Sequence, residues 1–167
     1  MPLFDLEGQP LADPWRTLGD EEPLPASSVA LLVSWARLST APDAVAGRSA
    51  WGVSLPNTVD PHDLFALGLE PPQVIALSFP VFRDGRAYSQ ARLLRECLGY
   101  RGQVRATGAL GRDQIPLIRR CGFDALELAA DTPWLTAPLP SYPFVYQGAA
   151  DGAVTIGERR RRQGGQS

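Results

Sequence analysis

The sequence predicts one α/β domain whose sheet has about five mostly parallel strands linked by helical crossovers. Three observations lead to that class. Short apolar runs recur roughly every 20 to 30 residues between Val29 and Leu128, helix-start and helix-stop residues lie between them, and no two-residue hairpin turn joins one run to the next. Such crossovers put each strand-to-helix loop at the carboxyl end of the sheet, so the loops at 80–88 and 108–113 should open on one side.

Residues 1–28 mix Pro, Asp, Glu and Gly without periodicity and read as a loosely ordered arm, with Leu3, Phe4, Trp15 and Leu18 available to dock. The single domain then runs over 29–150. Val29 to Trp35 is nearly continuous apolar sequence, as in a strand buried on both faces. Ala41 to Gly47 leaves room for one short helical connection, and Trp51 to Leu55 is the second strand, stopped by Pro56-Asn57. Asp60-Pro61-His62-Asp63 reads as an N-cap, a first-turn proline and an early carboxylate. Leu64, Phe65 and Leu67 give that helix its apolar face, and Gly68 ends it.

Val74 to Phe79 is the third strand, stopped by Pro80. The next helix is expected from Tyr88 or Ser89 to Leu98, with Ser89 as N-cap and Gly99 as the stop. Gln103 to Thr107 is a fourth strand, with Val104 and Ala106 on one face and Arg105 and Thr107 on the other. Asp113 reads as the cap of a helix with Pro116 in its first turn and Ile115, Ile118 and Cys121 inward, and Ala125 to Leu128 begins the fifth strand. Pro133, Pro138, Pro140 and Pro143 exclude a long helix thereafter, which leaves Phe144 to Tyr146 as an edge strand or a covering segment. Residues 151–167 read as an Arg-rich flexible tail, solvated rather than bound to nucleic acid.

Composition bounds the chemistry. The chain has 167 residues and 44% hydrophobic content, enough for one core. No run is long and apolar enough to span a membrane, and Asp5 and Glu7 break the layout of a secretory signal, so a cytoplasmic protein is expected. Cys97, Cys121 and the single histidine, His62, cannot assemble an all-protein Cys/His zinc or iron–sulfur site, although carboxylate-bound magnesium stays formally open. No metal site is expected, and with neither GxGxxG nor GxxxxGK[ST] present, no cofactor either. All sixteen basic residues are arginine, so lysine Schiff-base chemistry has no nucleophile. The formal charge of −2 is unevenly spread. Residues 1–22 carry six acids against Arg16, a net of −5, whereas 83–120 carries nine arginines against three acids, a net of +6.

The run Phe79-Pro80, Phe82, Asp84-Gly85-Arg86 and Tyr88 to Arg95 continues into Gly99 to Gly102, Arg105-Ala106, Gly108, Arg112 to Gln114 and Arg119 to Asp124. With these spacings, over about a third of the chain, the sequence resembles the bacterial family classed as domain of unknown function 934. It departs from the family pattern at Val81, where a lysine is usual, at Arg83 for threonine, at Ala87 for glycine, and at Pro116, which interrupts a bulky apolar face. The resemblance implies an association with assimilatory sulfate reduction, because genes of this family often lie beside those of sulfite reductase. The turn from Asp84 to Ser89 is also similar to one in (β/α)-barrel enzymes of the enolase kind. Since a full barrel takes about 250 residues, the implied fold is a partial (β/α) barrel or an open sheet.

The candidate site residues lie in this segment. Arg86, with the free N–H groups near Ser89, could hold an anion, or it could brace the turn by pairing with Asp84. Arg105 inside a strand must find a partner, either Glu127 on the next strand or a ligand anion. Arg112 joins them as an anion ligand, and Asp84, Tyr88 and Asp113 are the candidate acid–base groups, each with a bland alternative as brace, packing aromatic or helix cap. Cys121 reads as a buried core thiol.

Two functions follow as expectations. The first is an accessory protein of sulfate and sulfite reduction that binds a small oxyanion or docks an acidic protein surface, such as one on sulfite reductase. The second is an enzyme of barrel-like ancestry acting on a small anionic metabolite, which requires Arg86, Arg105 and a proton-transfer group to converge in one pocket. Because five strands cannot close a barrel, an open sheet edge also makes a homodimer an expectation.

Overall fold

In a computed structural model of the chain, the residues described are 1–129, 131–136, 138–140, 142 and 145–164. The five expected strands are present as β4 (Leu31–Ser34), β5 (Trp51–Leu55), β6 (Val74–Phe79), β7 (Gln103–Gly108) and β8 (Ala125–Glu127). Three more come from the segment expected as a loose arm: β1 (Leu3–Asp5), β2 (Pro10–Leu11) and β3 (Arg16–Thr17). The order across the eight-stranded sheet is β2-β1-β8-β7-β6-β5-β4-β3. From β3 to β8 each strand lies parallel to its sequence neighbour, while β1 pairs antiparallel with both β8 and β2.

Local chemistry explains the arm's order. Asp5 Oδ1 accepts hydrogen bonds from the N–H groups of Glu7 and Gln9, and Gly8 adopts φ 86°, so the chain reverses tightly from β1 into β2. Pro10, with no N–H to donate, stands on the edge strand. Only four residues then separate Leu11 in β2 from Arg16 in β3, five steps of chain with a reach of at most about 18 Å. Those two strands are the opposite edges of the sheet, about 33 Å apart if it were flat. The sheet must therefore curl, and it does so into a half-barrel.

The helices are α1 (Trp35–Thr40), α2 (Pro61–Ala66), α3 (Arg86–Arg92), α4 (Ile115–Arg120) and α5 (Ile156–Gly164). The first apolar run ends one residue early because Ser34 Oγ caps α1 by accepting from Arg37 N–H at 3.1 Å. Asp60 caps α2 as expected, and its carboxylate also takes His62 Nδ1 at 2.9 Å. Helix α3 starts three residues before the expected cap, so Ser89 lies inside it, and a π turn over Leu93–Cys97 extends it toward Gly99. Asp113 is not a cap either. A 3-10 turn over Arg112–Gln114 leads into α4, and the side chain of Gln114 accepts from Gly111 N–H at 2.8 Å. Helix α5 falls in the expected flexible tail, where Thr155 and Glu158 satisfy each other's backbone N–H groups as a capping box. Val145 bridges to Thr155, whereas Phe144 of the expected edge segment lies outside the described residues.

The main core forms between the helices and one face of the sheet. Leu31, Val53, Ile75, Leu77, Val104, Ala106 and Leu126 meet Leu38, Leu64, Ala91, Leu94, Ile115 and Ile118 there. The other face carries a small cluster of Leu32, Val74, Ala76 and Trp15, to which no helix among the described residues contributes. Cross-strand register adds Arg105 to that face opposite Ala76. The segment joining β2 to β3 bonds to it, so this strap lies on the same side and that side is concave.

Candidate functional site

The expected site residues separate into three places. Asp84 and Arg86 form the first. Arg86 Nε and Nη2 donate to Asp84 Oδ1 and Oδ2 at 3.0 and 2.6 Å, and the Arg86 N–H donates to the same carboxylate at 3.2 Å. The hydrogen bond from the Arg86 side chain holds Asp84 well below the usual carboxylate range. The turn is braced by its own two charges, and Ser89 stands exposed on the following helix.

Arg105 is the second place, 1% exposed and bound by a partner other than Glu127. Its Nη1 and Nη2 each donate to a carboxylate oxygen of Asp13 at 2.9 Å, and Nε donates to Gln103 Oε1 at 2.7 Å. Register explains why Glu127 is not the partner: Ala125 stands opposite Arg105, and Glu127 stands opposite Thr107. Burial works against the Asp13 charge, but the Arg105 hydrogen bond, the Trp15 N–H and the Arg105 charge outweigh it and hold this carboxyl below its ordinary value.

The third place is a cleft of about 730 Å³ lined by Phe82, Tyr88, Asp113, Leu117, Tyr142 and Tyr146, among others. It opens where the loops after β6 and β7 meet, because Gln114 joins them by accepting from Gly111 N–H and donating to Phe82 O at 2.9 Å. Gly111 is the seat of the Phe82 ring: a Cβ there would stand 2.5 Å from it. Phe82, Leu117, Tyr142 and Tyr146 are all large and exposed, Tyr146 to 87%, and Val81 beside them is exposed too. Tyr88 packs edge-on against Phe79 at 5.1 Å, and its buried Oη has no hydrogen-bond partner among the described residues. Burial, with Cys121 and Asp113 nearby, pushes the Tyr88 phenol up to about 12. Arg112 sits beside this cleft and donates to Pro138 O at 2.6 Å.

Sequence reading placed Tyr88, Asp113 and Arg112 near one another but missed the apolar lining. The signal was the pair Val81 and Phe82, two large apolar residues in a loop after a strand-ending proline. A second cleft, about 720 Å³, is lined by Arg95, Arg101, Arg119 and Arg120 with Glu96, Asp124 and Asp151. Its cations are mostly engaged: Arg95 pairs with Asp124, Arg119 with Glu7 and Arg120 with Asp151. Burial pushes the Cys121 thiol up, and the residue packs in the core as expected.

The sequence matches the family model described as "Bacterial protein of unknown function (DUF934)" over residues 52–156. No curated protein and no solved structure matches it.

Proposed function

We propose that this chain, which belongs to the DUF934 family of bacterial proteins of unknown function, is an accessory protein of assimilatory sulfate and sulfite reduction that acts by docking on a protein partner. Sulfite reductase is the expected partner, from the gene neighbourhood that the family resemblance implies. The observation that carries docking is the exposed aromatic cleft at the meeting of the 80–86 and 108–114 loops. Contiguous Phe, Tyr and Leu on a surface characterise protein-binding patches, and large aromatics supply most of the energy of such contacts. Arg83 flanks the cleft with no partner among the described residues, and Arg112 bonds only a neutral carbonyl, so both retain charge for an acidic surface.

A catalytic reading has less support. Its two expected clamps, Arg86 and Arg105, are each held by a carboxylate of the chain itself, one on a loop and one on the concave face. What favours it is that Tyr88 and Asp113 line one cleft, where a phenol pushed up to about 12 could only donate a proton at neutral pH.

The test is a deletion strain grown with sulfate, sulfite or sulfide as sole sulfur source, complemented by wild type or by Phe82→Ser/Tyr146→Ser. Growth on sulfate should fail in the deletion, return with sulfide, and return with the wild-type gene but not with the double variant. Unimpaired growth of the deletion on sulfate sinks the proposal. Co-sedimentation with sulfite reductase, lost in the double variant, identifies the partner.

A further inference from the structure

We infer that the concave face of the half-barrel is a second binding site, for a small hydroxylated monocarboxylate, and that Asp13 fills its carboxylate position in the free protein. The site begins with Arg105. A guanidinium 1% exposed and gripped by both oxygens of one carboxylate has the geometry of a carboxylate receptor, and here the carboxylate comes from a strap rather than from the sheet. Residues 9–14 of that strap are all exposed apart from the Asp13 contact, the strands at its two ends, β2 and β3, have two residues each, and Trp15 anchors it just past Asp13 by packing on Leu32, Val74 and Ala76.

Hydroxyl groups form the second, independent feature. Strand alternation and register place Ser54, Ser78 and Thr107 on the same concave face, toward the carboxyl ends of β5, β6 and β7. All three are half-buried, and none of the hydroxyls has a hydrogen-bond partner among the described residues. Thr107 lies two residues beyond Arg105 on the same strand, about 7 Å along it, with Ser78 directly opposite. A molecule whose carboxylate replaced that of Asp13 would carry its hydroxyl groups against this row, and Ser and Thr can both donate to and accept from them. Glu127, opposite Thr107 on β8, lies 4.0 Å from the N-terminal ammonium of Met1, so these two charges offset each other. Arg105 is then the cation left for a carboxylate on this face among the described residues, and the fit is to a hydroxy monocarboxylate of three or four carbons rather than to a diacid. Strand ends that face the inside of a barrel-like sheet are also where ligands of such folds bind.

Competition with Asp13 supplies the test. Calorimetry on Asp13→Ala with glycerate, lactate, propionate and malate should show glycerate bound at least about tenfold tighter than by wild type, because no internal carboxylate has to be displaced. Propionate and malate should bind more weakly than glycerate, and Asp13→Ala/Thr107→Val should lose the preference for glycerate over propionate. A folded Asp13→Ala that binds no carboxylate at tens of millimolar overturns the inference, as does equal binding of glycerate and propionate. If Asp13→Ala does not fold, hydrogen exchange on the wild type decides: amides 9–16 should exchange faster with saturating glycerate, and unchanged exchange overturns it. None of these readouts involves sulfur metabolism, so they stand or fall separately from the docking proposal.

Discussion

Arg105 shows how far a single residue can be read. Its direction was legible, because alternation along 103–107 sends Val104 and Ala106 to the helices and Arg105 the other way. Its partner was not, since Asp13 lies 92 residues distant in the chain and reaches it only once the sheet curls. Asp13→Ala should cost about 3–5 kcal/mol by chemical denaturation, because it leaves a buried cation unpaired, whereas Asp13→Leu/Arg105→Met should restore most of that stability. The pair also fixes an acid limit. A carboxyl held below its unfolded value of 3.8 adds stability that is complete above that pH and is lost as pH falls through the folded value. The wild type should therefore lose stability below about pH 4 more steeply than Asp13→Leu/Arg105→Met, measured by urea midpoints along a pH series. Gly108 is a second residue with no freedom: at φ 104° a Cβ would stand 2.4 Å from the Phe79 carbonyl oxygen. Gly108→Ala should cost at least about 1–3 kcal/mol.

At the scale of elements, the five expected strands were visible because each lies in an apolar or alternating run broken by Pro, Gly or a capping residue. The other three were not, because β1 to β3 have no such run and exist through pairing with distant strands rather than local preference. Helix starts were displaced for a related reason. Ser89 and Asp113 are good caps in isolation, yet the Asp84–Arg86 brace starts α3 earlier and the Gln114 bridge sets a 3-10 turn over Arg112–Gln114 ahead of α4. The cleft was illegible because its walls come from three separated segments, and the bridge between two of them is one glutamine. Gln114→Ala removes both of its bonds and should cost about 1–3 kcal/mol. Hydrogen exchange should quicken in both 80–86 and 108–114, whereas a merely local effect would leave the first loop unchanged.

Over the whole molecule, the uneven charge seen in the sequence is largely an internal match. Of the nine arginines in 83–120, seven bond to the chain itself, and Asp13, Glu7, Asp124 and Asp151 reach in from outside the segment. The expected broad anion-facing surface is thus reduced to Arg83 and Arg101 free of partners among the described residues, with Arg112 on a neutral acceptor. Removing residues 1–22 changes the formal charge from −2 to +3 and takes away three strands and the Arg105 partner. That truncated chain should lose cooperative thermal unfolding in calorimetry, although α1 to α5 and strands β4 to β8 remain in it. The sheet order carries one more consequence, in time rather than space. From β3 to β8 each strand has its neighbour in hand as soon as the next is synthesised, but Leu3 must wait for Glu127. Of the eight strands, the first to be synthesised therefore finds its place last.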